Sequence, residues 1–376
     1  MKITVNKPNF LKGLSIVGKF TGKSKEDTAL NHIELVVENE QLEFKATDGE
    51  VYYVFRQPLV EVTEEGDNTL HSVEMTGNIT LPSKFEEVLK KFPSDDVTIE
   101  LADNKLMLSQ NKIKAQVACV TSELPLIPKG KASESLTLGK KVFNTLVKNT
   151  AFASSDSDGR PVLKGINMVA SEEGFRVVAT DSHRLAKFSI PQKLNLPELN
   201  IPARAIVRVL ETIDEDEKIE LIPMESHVLL KTDNADIYIL QLSGNYPNVE
   251  GLIQMKEGST IVELSSKEFL SAVDRALPFS KNAKGTQLFV LDLVGEDSIK
   301  IYSNSEDGSI ESELPATITK GSYMGKISIN VKFVTDAVKA LNSDTVRVHI
   351  SSAMQPVYIF GSNDKLIQLV LPVRTA

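Results

Sequence analysis

Ala179-Thr180-Asp181-Ser182-His183-Arg184-Leu185-Ala186 decides how the chain reads, because its opening has already occurred once as Ala46-Thr47-Asp48-Gly49. Each copy follows an alternating apolar run: Ile33, Leu35, Val37, Leu42 and Phe44 before the first, and Ile166, Met168, Phe175 and Val177 before the second. A third, degraded copy runs through Leu291, Leu293, Ile299 and Ile301 to Ser303-Asn304-Ser305. The flanking elements recur as well. An amphipathic helix precedes each copy (Phe10 to Lys19, Val142 to Ala153, Phe269 to Leu277), and a strand entry into a second helix follows (Ile79 to Pro82, Leu199 to Pro202, Ile327 to Asn330). A recurrence every ~120–130 residues is too long for a solenoid repeat and matches a small domain. Three tandem copies of one domain are expected, over 1–125, 133–250 and 258–376.

Two linkers separate the copies: Ser122 to Ser133, with Pro125, Pro128 and Gly130, and Asn248 to Ser259, with Gly251 and Gly258. Period-two runs dominate elsewhere, as in Val97 to Leu101, Lys218 to Ile222 and Val346 to Ile350. Six helices among many antiparallel strands make an α+β architecture; a doubly wound sheet would need a helix after every strand. With 376 residues, 41% hydrophobic and 25% charged, there is apolar material for three modest cores. The start, Met1-Lys2-Ile3-Thr4-Val5, alternates like a strand rather than a signal peptide, and no run approaches the ~20 apolar residues of a membrane span. A cytoplasmic protein is expected. The single cysteine, Cys119, alternates with Ala115 and Val117 and reads as a packed core thiol.

The formal net charge of −9 argues against a nucleic-acid partner held by general electrostatics, but its distribution reverses that reading. Each of the six helices carries at least two basic residues: Lys12 and Lys19, Lys84 and Lys91, Lys141 and Lys148, Arg204 and Arg208, Lys267 and Arg275, Lys332 and Lys339. Four pairs are spaced i,i+7 and one i,i+4, which sets both charges on one stripe. Lysine on one solvated helix face is ordinary, whereas repetition in all six predicts a shared basic surface. Acidic residues gather in loops, at Asp214 to Glu217 and Glu61 to Asp67.

Candidate chemistry is sparse. Gly18 to Ser24 imitates a phosphate-binding loop, yet it has one residue too few between its glycines and follows a helix instead of joining a strand to one. His32, His71, His183, His227 and His349 show no metal-ligand spacing, so no metal and no cofactor are expected. Asp181-Ser182-His183 holds the residue types of a hydrolytic triad, but neighbours on a strand or turn point apart, and a triad converges from separate segments. By itself the segment reads as a polar strand-to-turn connection.

That segment resembles the family signature of the bacterial DNA sliding clamps, the β subunits of the replicative polymerase, usually written ATDGHRLA. The resemblance covers the whole chain. It includes the length, the three copies, Leu163-Lys164-Gly165-Ile166, Gly244-Asn245-Tyr246-Pro247 and the terminus Leu369-Val370-Leu371-Pro372-Val373-Arg374. It implies a DNA clamp fold: a homodimeric ring of three-domain chains, helices lining the bore, sheets outside, with no catalytic activity. The twelve basic helix residues would then face double-stranded DNA, and Ala115 and Val117 would meet Leu277 to Phe279 of a second copy. The acidic surface would lie outside.

The resemblance also implies a peptide cleft that captures short linear motifs of polymerase subunits, the clamp loader and repair proteins. Its apolar wall would be Leu163, Leu185, Pro247, Leu252, Met354, Pro356, Val370, Leu371, Pro372 and Val373, and its polar rim Thr180, His183, Arg184 and Asn330, with Arg374 at the chain end. This chain departs from the common pattern at Ser182 for Gly, at Gly251 where many members have Arg, and at Phe333 for Tyr. Two other readings stay open on the sequence. One is a three-domain enzyme on a small polar substrate, with Asp181 and His183 as acid and base; the other is a self-assembling scaffold without DNA.

Overall fold

The computed structural model describes every residue except 24–27, 64–65, 94, 121, 131–133, 172–173, 193–195, 256, 282–284, 296, 320, 322, 363 and 375–376. The helices among them are α1 Lys7–Gly18, α2 Ser83–Lys90, α3 Lys140–Ala151, α4 Ala203–Leu210, α5 Glu250–Ile253, α6 Ser266–Ala276 and α7 Val331–Leu341. Six stand where the periodicity places them. The single turn α5 lies inside the second linker, where Gly251 had signalled a loop. Strands run directly into the major helices, and short polar side chains mark several of the switches: Asn6 Oδ1 accepts from Asn9 N at 3.3 Å, Ser265 Oγ from Glu268 N at 3.4 Å and Asn330 Oδ1 from Phe333 N at 3.2 Å. Helix α7 ends on Asn342 in the left-handed conformation, φ 45°.

The chain divides into two compact units. The first comprises Met1–Lys141 with Arg208–Gln241. It holds a five-stranded antiparallel sheet, with Ile113–Ala118 at one edge and His71–Met75 at the other, and an eight-stranded sheet. Helix α1 buries Phe10, Gly13, Leu14 and Val17 against the strands Gln41–Thr47 and Val51–Pro58. Gly13 has to be glycine there, because a Cβ would come within 2.7 Å of the buried Phe44 ring. Lys7, almost fully buried, donates to the carbonyls of Lys90 and Phe92 and so fastens the start of α1 to the end of α2.

The second unit comprises Val142–Val207 with Leu242–Ala376 and contains a nine-stranded and a four-stranded sheet. Phe269, Ala272, Val273 and Ala276 of α6 and Val331, Val334, Ala337 and Val338 of α7 form one core with strand residues such as Phe289, Ile301 and Val348. Within each unit one sheet runs through a repeat boundary. Strand Val51–Pro58, which leaves the first Ala-Thr-Asp turn, pairs with Ala235–Leu240 (Tyr52 opposite Tyr238). Strand Arg184–Ile190, which leaves the second, pairs with Leu366–Val370 (Arg184 opposite Val370). Joining the edges removes unpaired backbone that separate domains would expose. The two halves of the middle repeat therefore belong to different sheets and to different compact units.

His71 lies in the first core, where its Nε2 meets Gln57 Oε1 at 3.1 Å and Gln57 Nε2 donates to Asn9 O at 3.0 Å. Phe10 packs edge-on against the imidazole, and burial pushes its pKa down from 6.5 to about 4. The unfolded chain therefore binds more protons between those values, so the contribution is fully present above pH ~6.5 and is lost as pH falls towards 4. The loss is expected to total on the order of 3 kcal/mol. Urea midpoints at pH 7.5 and 5 should diverge for the native chain and converge for His71→Leu; equal pH dependence in both would refute the assignment.

Candidate functional site

The quoted turns are built alike. Asp48 Oδ1 accepts from the amides of Glu50 (3.0 Å) and Val51 (2.9 Å), and Asp181 Oδ1 from those of His183 (2.8 Å) and Arg184 (2.9 Å). Thr47 and Thr180 each accept, through Oγ1, the amide two residues on. The residue between takes positive φ, +91° at Gly49 and +78° at Ser182, so the family glycine is replaced here by a serine in a left-handed conformation. Aspartate is thus a turn cap: its carboxylate is occupied by backbone donors, and His183 and Asp181 meet through the histidine amide rather than its ring.

Both turns also dock on a helix through an ion pair, but with exchanged charges. In the first unit Asp48 Oδ2 accepts from Arg208 Nη2 at 2.6 Å, and the guanidinium lies 4.9 Å over the Phe20 ring. In the second, Arg184 donates to Asp181 Oδ2 (2.9 Å) and to Asp336 Oδ2 (2.7 Å) while lying 4.6 Å over Phe333 and 5.6 Å over Phe152. Arg208 is the sixth residue of α4 and Asp336 the sixth of α7, so equivalent helix positions carry opposite signs.

Arg184 is consequently buried beneath the surface, not on a rim. Two other expected rim residues are also structural: the Thr180 hydroxyl donates to Arg184 O at 2.6 Å, and Asn330 caps α7. Leu163, Leu185 and Val370 are buried, Val370 within the core of α6 and α7. What remains accessible is a set of apolar side chains. Leu252 and Met354 are about half exposed, with Pro247 and His183 also exposed and Pro356, Leu371, Pro372 and Val373 half-buried. Arg374 is exposed at the last described position.

A small apolar cluster takes in one of them, Leu371: it consists of Val178, Leu185, Val249, Tyr358, Phe360 and Leu369, with Tyr246, Ile253, Ile367 and Leu371 packed on it. Two tyrosines hold the α5 segment down. Tyr246 Oη accepts from Thr180 N at 3.0 Å, and Tyr358 Oη donates to Leu252 O at 2.9 Å. Burial raises the Tyr246 phenol well above its ordinary pKa. The terminal segment is tied by backbone, Leu371 N to His183 O and Val373 N to Ser328 O, both at 2.8 Å. His183 stacks on Phe333 with centroids 6.5 Å apart. Tyr246, Tyr358 and Asp336 were missed as contributors; the first stood in plain view before Pro247, whereas the others carry no local pattern.

The basic helix residues divide. Lys12, Lys19, Lys84, Lys91, Lys141, Lys148, Arg204, Lys267, Arg275, Lys332 and Lys339 are exposed. Arg208 is a correction: it is half-buried and committed to Asp48. In the second unit α6 and α7 share a groove of about 550 Å3 lined by Lys332 and Lys339, and α3 and α7 share one of about 360 Å3 lined by Lys148. Lys148 and the pair Lys332 and Lys339 thus line adjoining grooves, the second of which also holds Asp274 and Asp336, while Lys267 and Arg275 of α6 lie outside both.

The acidic run Asp214 to Glu217 is a loop, as expected, but not one remote from the basic residues. It lies at the helices, Glu215 paired with Lys140 and Asp216 with Lys141 (3.0 Å), so it offsets part of their charge. In the other acidic segment Glu64 and Glu65 fall outside the described residues. Cys119 is half-buried just past the strand Ile113–Ala118, and partial burial raises its thiol pKa; it is not a core residue. Leu277–Phe279 forms a 3-10 turn because Pro278 has no amide to give a ladder, with Phe279 packed on Gly308. The outermost strand there is Gly308–Pro315, and at the five-stranded sheet it is Ile113–Ala118, which carries Ala115 and Val117.

Models of the DNA polymerase III beta subunit match the chain in three consecutive parts: the N-terminal domain over residues 1–123, the central domain over 137–248 and the C-terminal domain over 255–374. The chain is 30% identical over 387 residues to the beta sliding clamp of Bacillus subtilis (strain 168), with 100% of both chains covered. It is 27% identical over 386 residues to that of Halalkalibacterium halodurans, again with 100% of both covered. The crystal structure of the DNA polymerase sliding clamp from Bacillus subtilis superposes with a TM-score of 0.91 at 28% identity, covering 100% of each chain.

Proposed function

This chain belongs to the DNA polymerase III beta subunit family, and on that premise we propose that it is a DNA sliding clamp, a ring that encircles duplex DNA without sequence preference and tethers the replicative polymerase as a non-catalytic processivity factor. The observation that carries the reading is the exposed lysine or arginine on all six major helices, opposite the residues each helix buries. Lysines meeting phosphates through water bind any sequence alike, and enclosure supplies the residence time that such weak contacts lack. Three domains, 1–125, 133–250 and 258–376, make half the ring. Two copies close it head to tail, with the edge strand Ile113–Ala118, which carries Ala115 and Val117, meeting Leu277 to Phe279 and the adjoining edge strand Gly308–Pro315 of the second copy, so that each covers the other's unpaired backbone.

The apolar surface around Leu252, Met354 and Leu371 takes short linear motifs of polymerase subunits, the clamp loader and repair proteins, burying a few anchors worth ~1.5–3 kcal/mol each. The protein acts in the cytoplasm; no helix among the described residues is long and apolar enough to cross a membrane. Against acid-base chemistry stands the Asp181 carboxylate, already occupied by two amides and Arg184. The test is retention on nicked circular DNA with clamp loader and ATP. The protein should co-elute with the circle and dissociate once it is linearised; equal retention on both forms would argue for ordinary binding instead of enclosure.

A further inference from the structure

One oxygen of Asp336 serves two cations of different standing. Its Oδ2 accepts from Arg184 Nη1 at 2.7 Å and from Lys332 Nζ at 2.6 Å. The side chain of Arg184 is 8% exposed and that of Lys332 66%. The buried pair is charge-assisted and poorly screened, while the exposed i,i+4 pair is weak and open to competition. Lys332 and Asp336 line the groove between α6 and α7, so the lysine can turn towards an outside anion without disturbing the core. From Arg184 the contacts run on to the apolar surface, because its guanidinium lies 4.6 Å over Phe333 and the other stacking partner of Phe333 is His183.

The geometry points to Asp336 as a positioning residue for the peptide surface, set by what Lys332 binds. This rests on the reading of α7 as a DNA-facing helix. A phosphate that draws Lys332 away leaves the Asp336 oxygen to Arg184 alone. Arg184 is then held more firmly against Phe333, and the His183 edge of the surface is ordered before a peptide arrives, which lowers the cost of binding. Linkage makes the effect mutual: bound DNA tightens the peptide, and bound peptide tightens DNA by the same factor. Because the exposed pair that is given up is weak, the effect is limited to about a two- to fivefold change.

The experiment uses fluorescence anisotropy of a labelled peptide from the cognate replicative polymerase on the full-length protein, with and without a saturating duplex oligonucleotide. The native chain should bind the peptide about two- to fivefold more tightly with duplex present. Lys332→Gln should show the tighter affinity without DNA and no further response, since its Asp336 is committed to Arg184 throughout. Asp336→Asn should bind more weakly and be unresponsive. A merely structural Asp336 would not make the exposed Lys332→Gln variant a better peptide binder, so unchanged affinity in that variant overturns the inference. That arm needs no DNA and decides the matter even if the duplex itself fails to bind, a result that would instead count against the DNA-facing reading of α7.

Discussion

Deleting Leu371 to Ala376 is expected to abolish binding of polymerase-derived peptides while the fold survives. The deletion begins one residue after the strand Leu366–Val370, so the nine-stranded sheet keeps its ladder. It removes the Leu371 side chain from the cluster of Val178, Leu185, Tyr358 and Leu369, and it removes the backbone ties of Leu371 to His183 and of Val373 to Ser328. Losing three apolar wall positions, Leu371, Pro372 and Val373, of which the two larger are worth ~1.5–3 kcal/mol each, predicts a decrease of at least a hundredfold, beyond the range of an ordinary titration. Met354→Ala is the milder companion: the side chain is about half exposed, so a loss of ~1 kcal/mol in binding should come with little change in melting temperature. Calorimetric titration on intact and truncated proteins checks both. Equal affinities would place the peptide surface elsewhere.

The parts of this architecture legible in the sequence are those with a local cause. Asp48 and Asp181 announce their turns because a short acceptor after a strand bonds amides two and three residues ahead. The six helices show through their periodicity, and α1 buries Phe10, Leu14 and Val17, which the i, i+4, i+7 spacing sets on one side. The family signature then pointed to the candidate site. What stayed hidden depends on partners far along the chain. Arg208 looks like any other basic helix residue until the turn at Asp48 is folded against it, and Arg184 reads as a rim residue until Asp336 is found below it. The exchange of sign between positions 208 and 336 has no signal in either helix alone, since both are polar residues in otherwise similar amphipathic patterns. The compact units escaped for the same reason, because strand pairing across a repeat boundary is set by edge complementarity and leaves no mark on period-two alternation.

The corrected role of Arg208 changes how the proposed DNA-binding surface has to be probed. Reversing Arg208 would set a second carboxylate against Asp48 and remove the guanidinium that stacks on Phe20, and the resulting loss of DNA could not be told from misfolding. Lys19, Lys91, Lys148 and Lys339 are exposed, have no ion pair among the described residues, and sample α1, the end of α2, α3 and α7. Changing all four to Glu should leave the melting temperature within a few degrees, as solvated surface substitutions do. The DNA effect should be large. Each phosphate contact adds roughly 0.9 to the slope of log affinity against log salt concentration, so the loss of four per protomer should flatten that slope by at least ~2. At low salt, retention on nicked circular DNA should drop by more than tenfold, because four added negative charges per chain repel the duplex as well as failing to hold it. The salt series is the decisive measurement, since weaker loading alone could arise from a damaged loader contact, whereas a shallower slope reports phosphate contacts. An unaltered slope across 50 to 200 mM salt would mean that these helix faces look away from DNA.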